Sequence, residues 1–208
     1  MKSAIILSYH KSSRYKSLYP KCLIEVNGKS LLDYQIDFLR ANGCIDINII
    51  GGYKIDSLKN KKGVNILYYQ NYETASEVAA LEFALDKIYH SNELYIMFGD
   101  VFMLNNRINS KESYILTHKK KNGIGCFCYE DNIIRMSFDA DDKWAKVVYL
   151  NKKTLDSLRN IGFGNCYFIY EAINRMIDNK CIFKQIPHHI KNIETKRDAI
   201  NADNSTET

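Results

Sequence analysis

At 208 residues, with 46% apolar and 25% charged side chains, the chain has the length and composition of one globular domain, and two prolines with ten glycines exclude a long linker or a collagen-like stretch. The formal charge of +5 is spread along the chain. Its densest basic run, His118-Lys119-Lys120-Lys121, is too thin for a nucleic-acid footprint and reads as the solvated end of a helix. The N-terminus carries one lysine and then only the short apolar run Ala4 to Leu7, too little for a signal peptide, and no later stretch approaches membrane-spanning length. A cytoplasmic protein without membrane or nucleic-acid partners is the expectation. Six cysteines, none in C-x-x-C spacing, read as reduced thiols, with Cys126 and Cys128 on one buried strand face.

Ala4 to Leu7 is the continuous apolar run of a parallel strand covered on both faces. After a polar loop from Ser8 to Tyr19, the segment Pro20 to Val26 ends in the turn Asn27-Gly28. Ser30 can cap a helix with Leu31, Leu32, Ile36, Phe38 and Leu39 at helical spacing, stopped by Asn42-Gly43. Further strands fall at Ile45 to Ile50, Val64 to Tyr69 and Leu94 to Phe98, with a short helix from Lys54 to Lys59 and a longer one from Ser76 to Ile88. This alternation predicts an α/β, doubly wound, mostly parallel sheet. Strands at Gly125 to Tyr129, Ile133 to Phe138 and Ala145 to Leu150 predict a small antiparallel extension in the second half. Gly162 to Tyr170 reads as a strand leading into a helix at Glu171 to Ile177. Edge strands are expected at Phe183 to Ile186 and Lys191 to Ile193, and a last helix at Thr195 to Ala202. The whole forms a single domain over residues 1–203, with a frayed tail at 204–208.

Ligands of an open parallel sheet bind beyond the carboxyl ends of its strands. Two groups fall there. The loop Ser8-Tyr9-His10-Lys11-Ser12-Ser13-Arg14, with Lys21, offers amides, hydroxyls and cations to a triphosphate, or is simply a solvated basic loop. Asp100, at a strand end, is a ligand type suited to Mg²⁺ or a helix cap.

Residues 4–53 resemble the opening of the nucleotidyltransferase superfamily that makes nucleotide-sugars and CDP-alcohols. Leu7, Ser13, Arg14, Pro20, Lys21, Gly28, Lys29 and Leu31 fall in register with that family's strand, phosphate loop, Pro-Lys pair and following helix. Leu32 to Leu39 and Ile49 to Tyr53 continue the match, and Gly99-Asp100 fits the family's metal-binding aspartate. The phosphocholine cytidylyltransferase-like branch is the most similar in wording. The resemblance implies a GT-A-like nucleotidyltransferase fold and transfer of a nucleotidyl group, cytidylyl by preference, from CTP to a phosphorylated small molecule. The acceptor would be an alditol phosphate, choline phosphate or sugar 1-phosphate, and pyrophosphate would be released.

The resemblance assigns nucleotide contacts to Leu7, Ser8, His10, Ser12, Ser13, Arg14, Lys21 and Ser76. Arg14 and Lys21 take the catalytic roles on the phosphates, and Asp100 and Glu194 hold Mg²⁺. It also implies a place in surface polysaccharide precursor synthesis and leaves a homodimer open. Tyr129, Trp144 and Tyr167 are available for an aromatic cage around a choline head, or for core packing.

The chain departs from the family at three places. His10 and Ser12 replace the loop glycines, Ser8-Tyr9 replaces a small pair, and Glu194 replaces an aspartate. These departures keep open a catalytically degenerate nucleotide-binding protein. The run Asp139-Ala140-Asp141 keeps open a metal-dependent glycosyltransferase, although a solvated turn explains it as well.

Overall fold

The computed structural model describes residues 1–11, 18–88, 90–104, 106–119, 123–193 and 195–203. In chain order the first strands are β1 (Lys2–Ser8), β2 (Glu25–Val26), β3 (Lys29–Ser30), β4 (Asp46–Gly51), β5 (Asn65–Tyr68) and β6 (Glu93–Phe98). They are followed by β7 (Val101–Met103), β8 (Tyr114–His118), β9 (Gly125–Tyr129), β10 (Asn132–Ser137), β11 (Asp142–Leu150), β12 (Lys184–Pro187) and β13 (Ile190–Asn192). The helices are α1 (Leu31–Ala41), α2 (Glu77–Leu85), α3 (Lys152–Ile161), α4 (Ile169–Asp178) and α5 (Lys196–Asp203).

Among the described residues nine strands make one mixed sheet, in the order β5-β4-β1-β6-β11-β8-β12-β10-β9. β5, β4, β1 and β6 run parallel, and β11 then pairs antiparallel with β6. The antiparallel strands expected of the second half thus continue the same sheet. β1 feeds both faces: Ile5 and Leu7 join the core beneath α2, α3 and α4, while Ala4 and Ile6 join the core beneath α1. That double burial is why the strand reads as unbroken apolar sequence.

The chain goes from β1 outward to β4 and β5, then returns to place β6 on the other side of β1. The order therefore reverses between β1 and β6, where the carboxyl ends of two parallel strands part and leave a crevice.

Within Pro20 to Val26, Lys21–Leu23 forms a 3₁₀ turn, closed by Leu23 N–H to Pro20 O at 3.0 Å and Ile24 N–H to Lys21 O at 3.0 Å. Several expectations are corrected. Gly162 to Tyr170 is not a strand, because Gly162 and Gly164 have φ of +63° and +58°, outside the extended region. Gly162 instead ends α3, an unanticipated helix whose start is capped by Asn151 accepting Thr154 N–H at 3.0 Å. His118 ends strand β8 rather than a helix, and Lys120 and Lys121 lie outside the described residues. Cys126 is buried, but Cys128, near the outer end of β9, is exposed. Among the described residues no helix is long and apolar enough to cross a membrane.

Helix α1 begins as its sequence predicts: Ser30 Oγ accepts Asp33 N–H at 3.1 Å. A Ser30→Ala variant loses that cap, at about 1 kcal/mol. Thermal unfolding followed by circular dichroism should show a midpoint lower by about 2–4 °C.

Candidate active site

The crevice between β1 and β6 holds one carboxylate facing two ammonium groups. Asp100 follows Gly99 in the turn between β6 and β7 and is 8% exposed. Its Oδ2 lies 2.9 Å from Lys146 Nζ and 3.7 Å from Lys21 Nζ. Its Oδ1 is buried without a hydrogen-bond partner among the described residues. The Oδ1 of Asn192, on β13, is in the same state. Two unpartnered hard oxygens beside a phosphate-type site fit a divalent cation such as Mg²⁺, which takes one or two protein oxygens and leaves the rest to substrate and water. Among the described residues no group of three or more His, Cys, Asp or Glu side chains gathers into a metal cluster. Asp139 and Asp141 sit exposed around the turn between β10 and β11, whose carbonyls at Phe138 and Ala140 accept from Lys143 Nζ.

Each group is brought in by a local feature. Gly99 is required because an added Cβ would stand 2.6 Å from Ser8 Oγ at the end of β1. Lys21 is delivered by the 3₁₀ turn, which buries neighbouring Cys22 and raises its thiol to about 11 by desolvation. Lys146 is delivered by an irregularity. The β11–β8 register shifts between Trp144 and Val148, and Lys146 takes φ +59°, a conformation that L-residues avoid. The bulge breaks the in-out alternation of the strand, and the ammonium stands over the Phe98 ring at 5.7 Å as well as on Asp100.

Beside the ion pair is a cavity of about 260 Å³, walled by Phe98, Phe138, Trp144, Phe168 and Tyr170, with Lys146, Asn192 and Glu77 as polar groups. Trp144 meets Phe98 edge-on at 5.8 Å, and Phe168 stacks on Tyr170 at 5.8 Å. Glu77, the first residue of α2, accepts Ile169 N–H at 3.0 Å. Desolvation raises its carboxyl pKa above the usual carboxylate range; that hydrogen bond and Lys146 oppose the shift, whereas Asp100 and Glu171 add to it.

The residues singled out in the sequence distribute as follows. Leu7 sits in the core with its carbonyl accepting Gly99 N–H at 2.9 Å. Ser8 is buried beside Gly99, and Lys21 and Asp100 meet. His10 is exposed at the loop; partial desolvation lowers its pKa, against the Tyr72 backbone and reinforced by Lys21. Ser76 caps α2 by accepting Ala79 N–H at 3.0 Å. Ser12, Ser13, Arg14 and Glu194, and the tail 204–208, lie outside the described residues. Of the three aromatics, Trp144 lines the cavity, whereas Tyr129 and Tyr167 are exposed. Lys146, Glu77 and Asn192 were missed. The sequence offered Glu77 as the residue after a helix cap, and Asn192 two places before the favoured carboxylate. Nothing in it pointed to Lys146.

A crevice at the reversal of a parallel sheet, with paired lysines around one carboxylate, marks an α/β protein whose candidate ligand site lies at the strand-order switch. Residues 4–121 match the MobA-like NTP transferase domain, and the chain belongs to that family. It is 33% identical to the choline-phosphate cytidylyltransferase of Streptococcus pneumoniae over 109 residues, 50% of this chain and 46% of that protein. It is 29% identical to the CTP:phosphoglutamine cytidylyltransferase of Campylobacter jejuni over 133 residues, 57% of this chain and 53% of that protein. The chain thus spans about half the length of these relatives. The fold is that of the solved CTP:phosphocholine cytidylyltransferase from S. pneumoniae, with TM-score 0.81 and 22% identity over 99% of both chains. The inositol-1-phosphate CTP transferase from T. maritima shares it, with TM-score 0.75 and 15% identity over 95% of this chain and 91% of that one.

Because the folded-state pKa of Glu77 lies above its unfolded value, the folded protein binds that proton the more tightly. Glu77 supports the fold below its unfolded pKa, and that contribution is lost as pH rises through the folded pKa. At pH 7.5 a Glu77→Gln variant should therefore melt higher than wild type. The gain should vanish in melts recorded at a pH below the unfolded value.

Proposed function

We propose that the protein transfers a nucleotidyl group, cytidylyl by preference, from a nucleoside triphosphate to a phosphorylated small molecule carrying a cationic head. The observation that carries this reading is the Lys21–Asp100–Lys146 arrangement at the sheet reversal, opening onto an aromatic cavity. The relatives named above support CTP as the preferred nucleotide.

In the reaction, an oxygen of the acceptor phosphate attacks the α-phosphorus, the bond from that phosphorus to the bridging oxygen breaks, and pyrophosphate leaves. Such a step needs positioning and charge neutralisation more than proton transfer. Lys21, at the loop end of the crevice, meets the α-phosphate, and Lys146, at the cavity mouth, orients the acceptor phosphate. Arg14 keeps the β- and γ-phosphate role that the family resemblance implies. Asp100 and Asn192, with Glu194, would hold Mg²⁺, which supplies charge neutralisation across nucleotide and acceptor. The aromatic walls and Glu77 suit an ammonium or quaternary ammonium head, held by cation–π attraction and one carboxylate. Use of a nucleoside triphosphate fits a cytoplasmic enzyme, and an activated alcohol phosphate fits a precursor of surface polysaccharide.

Pyrophosphate release with Mg²⁺ should depend on CTP over UTP, GTP and ATP, and on an amino-alcohol phosphate over a sugar 1-phosphate. Silence with every pair would overturn the reading. Lys21→Ala should lower kcat by about 10²-fold or more with CTP affinity changed little, and Asp100→Asn should abolish turnover. Trp144→Ala should raise the acceptor KM about tenfold and leave the CTP KM alone. A sugar phosphate used as well as the cationic acceptor would refute the cavity's assignment.

A further inference from the structure

Helix α1 buries Leu32, Ile36, Phe38 and Leu39 against the sheet, and in the midst of them is Gln35, with none of its surface exposed. An amide here has a cost. Its Oε1 is buried with no hydrogen-bond partner among the described residues, and an unmade hydrogen bond in the interior disfavours folding. An apolar residue of the same length would avoid that cost. The compensation lies in the other half of the side chain. Nε2 donates to Val101 O at 2.7 Å and to Phe98 O at 3.1 Å, the two carbonyls on either side of the Gly99-Asp100 turn.

The same turn is held at two more points. Gly99 N–H donates to Leu7 O of β1 at 2.9 Å, and Ile193 N–H donates to Asp100 O at 2.8 Å from beyond β13. Backbone bonds of that kind are available to any sequence. The third hold comes from a side chain, across 63 and 66 positions of sequence, and spans the turn that the other two grip singly.

We propose that Gln35 is a positioning residue for Asp100: its amide fixes the turn so that the carboxylate faces Lys21, Lys146 and the nucleotide. This rests on the nucleotidyl-transfer reading. A site that must hold a charged ligand to a fraction of an ångström needs its supporting groups locked as well. Gln35 touches neither substrate nor metal, and it acts only through the turn.

The test is direct binding of Mn²⁺ in the presence of CTP, read by the loss of the free-ion paramagnetic resonance signal, alongside turnover and thermal unfolding. Gln35→Met keeps length and removes both donors. It should weaken Mn²⁺ binding about tenfold and lower kcat roughly ten- to a hundredfold, with CTP affinity in EDTA within twofold of wild type. Leu39→Ala, a fully buried neighbour on α1 that makes no contact through an amide, is the comparison. It should lower the melting midpoint while leaving Mn²⁺ affinity at the wild-type value. Gln35→Glu, of equal size, offers at most one donor to the two carbonyls when neutral and should fall between wild type and the methionine variant. It carries the test if the methionine variant does not fold. Wild-type Mn²⁺ affinity in either Gln35 variant, or the same loss in Leu39→Ala, overturns the positioning role. If wild type itself binds no Mn²⁺ with CTP, the nucleotidyl-transfer reading has failed and this role falls with it.

Discussion

The pairing of one buried carboxylate with two lysines is the constraint around which the rest of the molecule is arranged. Asp100 supplies one negative charge, and Lys21 and Lys146 supply two positive ones. With Glu77 also near Lys146, the charges nearly balance, and in a partly buried crevice charge–charge energies are larger than at an open surface. Ion pairs at a surface contribute little to stability, and a partly buried one is retained at the expense of desolvation. Its place at the sheet reversal is therefore not explained by stability alone.

The fold serves this arrangement by taking each polar group from a different element. Lys21 comes from the turn after the β1 loop, Asp100 from the end of β6, Lys146 from a bulge in β11, Glu77 from the start of α2 and Asn192 from β13. No two of these are neighbours in sequence, so the site exists only when the sheet is closed up. The strained φ of Lys146 persists because β11 is paired on both sides, with β6 and with β8, and the ladder over-determines it. The antiparallel strands therefore do more than widen the sheet. They bring the second lysine, Trp144 and, from the turn between β10 and β11, Phe138 to a crevice that the parallel half alone would leave half-built.

What was legible in the sequence was local. The apolar run of β1, the Ser30 cap of α1, the Ser76 cap of α2 and the hairpin strand β9 each follow from residues within a few positions of one another. The loop and Gly99-Asp100 were legible because they follow strand ends, and Pro20-Lys21 because it falls in register with the family's Pro-Lys pair. Lys146 was not, because an ordinary strand would place alternate side chains on alternate faces, and the register shift that redirects it is a property of the pairing with β8. The region from Gly162 to Tyr170 misled for a similar reason. Its apolar residues suit a strand, but two glycines take left-handed φ, and Glu171 uses its carboxylate to hold the Tyr167 and Phe168 amides at the start of α4.

The loss of small residues at the base of the phosphate loop has a physical answer in the part of the loop that is described. Tyr9 is 2% exposed, packs edge-on against Tyr69 at 5.8 Å and donates its hydroxyl hydrogen to Ser76 O at 3.3 Å. Its own carbonyl accepts Tyr53 N–H at 2.9 Å. The bulky side chain is thus taken into the core and ties the loop's base to α2 and to the segment after β4. His10, where the family has glycine, is not among the non-glycine residues with positive φ, nor are Ser8, Tyr9 and Lys11. A Cβ therefore meets no left-handed backbone at that position, and the glycine there can be exchanged without the strain that makes such exchanges costly. The substitution changes which side chains the loop carries without requiring the chain to abandon the loop's path as far as residue 11.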